Sequence, residues 1–257
     1  MTADEVALEN AAIAKEYKNL LKISYRTLST ADKKLIRKAF DVAVDAHSEQ
    51  RRKSGEAYIF HPIAVAKIVA SKIGLDATSI AAALLHDVVE DCPHYTIDDI
   101  QQLFGETVAR IVDGLTKIST LNKDMNVSMQ AENFRKMLLT LHDDIRVIII
   151  KIADRLHNMQ TIHSMPEDKQ LKIASETLYI YAPLAHKIGL YNIKTQLEDL
   201  ALQYTEPEVY NDLLLKLEES KEEQDLYIKD ISQVLIETLD KEKISYEIKG
   251  RPKSIFS

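Results

Sequence analysis

Cysteine, glycine and proline are all scarce in this chain of 257 residues. Cys92 is the only cysteine, so the chain carries no disulfide framework and no thiolate zinc site, and a reducing, cytoplasmic setting is expected. Six glycines and six prolines are too few to punctuate many short strands, which need turn residues every ~10 positions. Long helices are expected instead. No apolar run approaches the ~18 residues of a membrane span, and the opening "MTADEVALEN" lacks a basic-then-apolar signal pattern. A formal net charge of −7 argues against a general nucleic-acid binder.

What is present is an ordinary globular composition, 46% apolar and 28% charged, in a chain long enough for a sizeable core. Helix signals follow one another. Thr2 is placed to cap a first helix and Ser29 or Thr30 a second. His61-Pro62 opens a third, with Pro62 expected at its first position, and Gly74 ends it. Asp76 caps "ATSIAAALLHDVVED", expected as one helix that stops before Pro93. Thr96 and Asp99 resemble a capping box. Residues 106–118 read as a helix, "STLNKDMNVS" as a polar loop, and "QAENFRKMLLTLH" and "DIRVIIIKIADRLHNMQTI" as two more helices. The β-branched "VIII" favours a strand by propensity, but its apolar pattern runs on through Ile152 and Leu156, too long for a buried strand. Further helices follow from Pro166, across Pro183, through "YNIKTQLEDLALQY", and from Glu206 to about Lys243. The expectation is an all-α bundle of roughly ten or more helices, with a truncated strand in "ISYEIKGRPKSIFS", where Ile244, Tyr246 and Ile248 alternate.

The octet "LLHDVVED", residues 84–91, sets one imidazole and three carboxylates at the end of a core-like run. On a continuous helix, Glu90 would sit one turn beyond His86 and Asp91 one turn beyond Asp87. One histidine and one carboxylate cannot grip a divalent ion alone. His61, in the apolar "YIFHPIAVAKIV", and Asp154, after the most apolar stretch of the chain, are the candidates to complete a site. A carboxylate left unpaired beside Ile149 and Ile150 is costly, and a cation would offset that cost. His61, His86, Asp87 and Asp154, two imidazoles and two carboxylates without thiolate, suit manganese, iron(II), zinc or magnesium, the histidines favouring the borderline metals. Such an ion lowers the pKa of bound water and polarises a phosphoryl oxygen. Glu90 and Asp91 then remain to orient or deprotonate that water, or to protonate a leaving group.

Arg51, Arg52 and Lys53, followed by Ser54 and Gly55, form a basic loop eight or nine residues before His61. Taken alone it is a solvated charged loop. Beside a metal site it can hold an anionic substrate, and arginine can stack on a purine. An acidic cage next to a basic loop suits hydrolysis of a phosphate ester or anhydride.

Together "RRKSGEAYIFHP", "ALLHDVVED", "AENFRKMLLT", "VIIIKIADRLHNM" and "YAPLAHKIGLYNIK" resemble the hydrolase domain of the RelA/SpoT homologue family, a branch of the HD phosphohydrolases. The resemblance implies a manganese-dependent 3′-pyrophosphohydrolase that converts ppGpp to GDP and pppGpp to GTP, releasing pyrophosphate and lowering the stringent-response alarmone. It implies that His61, His86, Asp87 and Asp154 bind Mn2+ and that Glu90 and Asp91 are catalytic. Arg52, Lys53 and Ser54 would contact the guanine end of the substrate, and Asn158 and Thr161 would lie near the ribose and phosphates. "KGRPKSI" is similar to the opening of the family's synthetase domain. Residues 1–243 are therefore expected to form the hydrolase domain with a helical extension, and 244–257 the start of a truncated synthetase domain. The implied partners are the guanine nucleotide and the missing synthetase and regulatory domains, with no membrane and no direct nucleic-acid contact. Two positions depart from the family pattern: Gln160 stands where arginine is usual and Ala57 where proline is usual. The competing readings are an HD phosphohydrolase acting on another nucleotide and a non-catalytic alarmone-binding module. The basic loop argues against the first, and the intact Glu90-Asp91 pair against the second.

Overall fold

The computed structural model describes residues 2–24, 28–123, 144–219, 221–242, 244–247 and 255–256. Among these, every regular element is helical, and extended backbone pairs only at the single antiparallel bridge between Arg51 and Ala57. No helix among the described residues is long and apolar enough to cross a membrane.

The chain forms two compact units, residues 1–166 with 187–190, and residues 167–186 with 191–257. The first unit contains α1 (Ala3–Ser24), α2 (Thr30–Ala46), α3 (Phe60–Lys67), α4 (Ala77–Leu84), α5 (Val88–Asp91), α6 (Ile97–Phe104), α7 (Glu106–Lys123) and α8 (Ile145–Gln160). Its helix starts are written in the sequence. Ser29 and Asp32 form a capping box on α2, Thr96 and Asp99 another on α6, and Thr2 and Glu5 exchange the same pair of bonds at α1. Each satisfies donors that a helix end otherwise leaves bare.

Helix α4 is the axis of the unit. Of its eight residues all but Thr78 are buried, as expected for a helix apolar all round, and its alanines admit α2, α3, α7 and α8 against it. Asp76 caps it, its carboxylate accepting from the Ser79 N–H at 2.9 Å. A π-helical turn over Ile68–Ile73 links α3 toward α4 and ends at Gly74, whose φ of 82° suits glycine. "VIII" is helical, inside α8. Val147 of α8 packs over Gly114 of α7: a Cβ there would lie 2.9 Å from Val147 Cγ2.

The second unit contains α9 (Glu167–Glu176), a π-helical turn over Thr177–Tyr181, α10 (Ala182–Lys187), α11 (Tyr191–Thr205), α12 (Pro207–Glu219) and α13 (Lys221–Lys241). Helices α9 and α11 pack together around Ala174, Ile193, Leu197 and Ala201.

Several expectations are corrected. The helix at "ATSIAAALLHDVVED" ends at Leu84 and resumes at Val88. Helix α3 begins at Phe60, so Pro62 is its third residue, where the N–H is still dispensable. Helix α7 extends through Lys123, into the expected polar loop. The stretch expected as helix from Glu206 to about Lys243 is helical over Pro207–Glu219 and Lys221–Lys241, residue 220 lying outside the described residues. The strand expected at Ile244 is not formed over Ile244–Glu247, since a lone strand has no partner edge. The helix expected in "QAENFRKMLLTLH", the family segment "AENFRKMLLT" and nearly all of "KGRPKSI" lie outside the described residues.

Candidate metal centre

The break in the octet is what builds the site. On a helix, His86 and Asp87 would diverge by ~100°. Here Leu85 and Asp87 leave helical geometry, with φ, ψ of −99°, 2° and −104°, −5°, and both side chains turn to one side. His86 Nε2 lies 3.0 Å from Asp87 Oδ2 and 3.9 Å from Asp154 Oδ1. His61, from α3, brings its Nε2 to 3.1 Å from Asp154 Oδ1 and 3.7 Å from Asp87 Oδ2. The four residues expected as a cage thus converge from α3, α8 and the α4–α5 turn. His61, His86 and Asp154 alone offer three ligand atoms within 4.8 Å of one another.

All four are buried, between 2% and 9% exposed, so the charges are poorly solvated. Burial pushes His61 below its ordinary pKa. Burial also opposes protonation of His86, but Asp87 and then Asp154 outweigh it and raise that imidazole to about 9. Against the same burial, His86 holds the Asp87 carboxyl well below the usual range, and Lys151 followed by His61 does so for Asp154. The carboxylates therefore impose a positive charge on the pocket.

The donor set fits a divalent cation. His86 Nδ1 lies 2.8 Å from the Ala83 carbonyl, so Nδ1 carries a proton and Nε2 is the nitrogen turned to the cluster, where a divalent cation would displace the second proton that the carboxylates favour. That Nε2 is buried and has no aligned hydrogen-bond partner, its approach to Asp87 being ionic contact only. Two imidazole nitrogens and two carboxylates without sulfur suit a borderline or hard divalent ion.

Around the cage lie residues that sequence reasoning missed. Tyr58 donates to Asp87 Oδ2 at 2.7 Å; burial and then Asp87 push its phenol far above the ordinary value, so it stays a donor. Lys151 Nζ is 2.8 Å from Asp154 Oδ2. His157 Nδ1 is 2.7 Å from His61 Nδ1, and burial, then His61 and Arg52, push its pKa down to about 3. The available signal for Lys151 and His157 was helical spacing, each sitting three residues from Asp154 on α8; Tyr58, in the turn before α3, carried none.

The basic loop is a tight hairpin. Arg52 N–H donates to Glu56 O at 2.9 Å and Tyr58 N–H to Gln50 O at 3.0 Å, with Gly55 at φ 90° in the turn. Ala57 is buried opposite Arg51. Its N–H takes no part in the two bonds that close the hairpin, which explains why proline is equally acceptable there. The loop's stem is pinned to the octet by Gln50 Nε2, which donates to the Asp91 carbonyl at 3.1 Å. Arg52 reaches the cage, donating to Asn158 Oδ1 at 2.9 Å, while Asn158 Nδ2 donates to Asp154 Oδ1 at 2.6 Å. Arg51 is tied to Glu9 of α1. Lys53 and Ser54 lie exposed at the loop tip. Thr161 turns its hydroxyl back to the His157 carbonyl, 3.0 Å away. Glu90 is half-buried and Asp91 exposed on α5, with the Asp91 charge near enough to act on Tyr58. Gln160 is exposed at the end of α8.

An all-α unit with a buried His/Asp cage for a divalent cation, gathered from separate helices, defines the class of this protein. The chain belongs to the HD domain family, which matches residues 39–191. It is 44% identical, over 88% of its length, to the "GTP pyrophosphokinase" of Myxococcus xanthus. It is equally 44% identical, over 89% of its length, to the "Probable guanosine-3′,5′-bis(diphosphate) 3′-pyrophosphohydrolase" of a Synechocystis species. The expected resemblance to the RelA/SpoT homologues is thereby borne out. The chain spans only about 30% of the length of each of these relatives. A solved structure described as a metazoan ortholog of SpoT that hydrolyzes ppGpp matches with a TM-score of 0.54 and 27% identity, over 69% of this chain and 97% of that one.

Proposed function

We propose that this chain hydrolyses the 3′-pyrophosphate of ppGpp and pppGpp, giving GDP or GTP and pyrophosphate, with Mn2+ as its cofactor. The observation that carries the reading is the buried convergence of His61, His86, Asp87 and Asp154. The choice of substrate rests on the names of the relatives and on the basic loop beside the cage. The two relatives carry opposite names, and both are about three times longer than this chain.

When bound, the cation supplies a water of lowered pKa and polarises the phosphoryl oxygen under attack. The rest belongs to the chain. Asp87 and Asp154 bring the negative charge and His61 and His86 the neutral nitrogens that hold a divalent ion. Glu90 and Asp91, on the short helix that follows the ligand pair, accept the proton of the attacking water or return one to the leaving oxygen. Arg52 and Lys53 bind the anionic substrate, Arg52 by stacking on guanine as well as by charge, and Ser54 adds a hydroxyl. Asn158 and Thr161 line the ribose and phosphate side. Gln160, being exposed, has little effect on phosphate affinity.

The test is direct. The purified chain is incubated with 3′-labelled ppGpp and release of labelled pyrophosphate is followed. Activity should disappear on dialysis against EDTA and return with Mn2+ more fully than with Mg2+. Undiminished hydrolysis after chelation would refute the metal reading, and no hydrolysis of ppGpp alongside turnover of another nucleotide would refute the substrate.

A further inference from the structure

The structure assigns to His157 a positioning role: it holds the metal-ligating tautomer of His61 and joins the basic loop to the metal cage. This rests on the metal-centre reading above and goes beyond it, since His157 is not among the expected ligands or substrate contacts.

Two imidazole Nδ1 atoms 2.7 Å apart require one N–H and one lone pair. His61 presents Nε2 to the cage, 3.1 Å from Asp154 Oδ1 and 3.7 Å from Asp87 Oδ2. For Nε2 to ligate, the proton of His61 must sit on Nδ1, and His157 Nδ1 is then its acceptor. The other ligand imidazole meets this need with a backbone carbonyl, through His86 Nδ1 and Ala83 O. His61 uses a side chain for the same purpose, and that side chain has a second donor at hand. Arg52 Nη1 lies 3.2 Å from the same His157 Nδ1. Guanidinium can only donate, so Arg52 and His61 address one lone pair, with His61 closer.

Arg52 thus meets the cage by two short routes, through His157 to His61 and through Asn158 to Asp154. A partner that fixes the far nitrogen of a ligand histidine governs metal affinity. Moving Arg52 onto an anionic substrate removes the competing donor from His157 and leaves its lone pair to His61 alone. Substrate engagement and metal retention are coupled, and such coupling is reciprocal.

The test is Mn2+ binding to metal-stripped protein by isothermal titration calorimetry, with the melting temperature of each stripped variant measured alongside. His157→Phe keeps a ring and removes the acceptor; His157→Asn keeps an acceptor oxygen near the position of Nδ1. His157→Phe should weaken Mn2+ binding roughly 10–100-fold, while His157→Asn stays close to wild type and both melt like wild type. Wild-type affinity in His157→Phe overturns the proposal. So does equal weakening in both variants, which would mean the site needs the ring rather than the acceptor. Wild-type protein and His61→Ala separate the two levels: if wild type takes up no Mn2+, or His61→Ala binds as well as wild type, the metal-centre reading itself falls.

Discussion

Replacing Asp154 by asparagine tests the centre with almost no change of shape. The carboxylate accepts from Asn158 Nδ2 at 2.6 Å, faces His61 Nε2 at 3.1 Å, and pairs through its other oxygen with Lys151 at 2.8 Å. An amide has one acceptor for these neighbours. Its NH2 must point either at Lys151 or at the Asn158 and His61 side, so one donor meets another. Two consequences follow, and they are separable. Without metal, a mostly buried Lys151 loses the carboxylate it pairs with at 2.8 Å; breaking a buried ion pair costs ~3–5 kcal/mol, and because Lys151 keeps other interactions and can still reach water the expected loss is about 2 kcal/mol. With metal, the cage loses a unit of negative charge. At ~4 Å and an effective dielectric of ~20, that charge is worth about 4 kcal/mol per unit of cation charge, or up to about 8 kcal/mol for a divalent ion, so Mn2+ should bind at least about a thousandfold more weakly even if half of that is recovered by water taking the vacated position. Urea denaturation in EDTA reads the first effect and calorimetric Mn2+ titration the second. An affinity indistinguishable from wild type would show that Asp154 is not a ligand, whatever the stability change.

The remaining predictions follow from other positions. Glu90→Gln combined with Asp91→Asn should abolish ppGpp turnover while Mn2+ titration stays near wild type; unchanged turnover would remove both residues from the chemistry. Gly114→Ala should destabilise the protein by about 1–2 kcal/mol in urea despite the better helix propensity of alanine, because its Cβ would meet Val147 at 2.9 Å and shift α8; a more stable variant would show that α8 yields freely. Asp144 caps α8 and pairs with Arg146 at 2.7 Å, so Asp144→Ala should cost about 2 kcal/mol at neutral pH. The Arg146 hydrogen bond lowers the folded pKa of Asp144 below its unfolded value. Its contribution is therefore full above the unfolded pKa and is lost as pH falls through the folded one. The wild-type advantage over Asp144→Ala should hold above about pH 5 and fade as pH falls below the ordinary carboxylate range; an advantage growing as pH falls would reverse the assignment.

Most helix starts and the kinds of ligand are legible in the chain locally. Caps at Thr2, Ser29, Asp76 and Thr96 satisfy donors within three residues of themselves, and the apolar run of α8 carries its own period, so both are legible locally. Residue chemistry alone marked His61, His86, Asp87 and Asp154 as cage candidates. Side-chain direction came from packing. Nothing local announces that the octet leaves helical geometry at Leu85. Tyr58, Lys151 and His157 look like ordinary helical and loop residues until packing around α4 brings α3 and α8 to the same few ångströms. Periodicity fixes an angle about one helix axis; which side chains meet across axes depends on how helices pack against one another, and that is where this site is made.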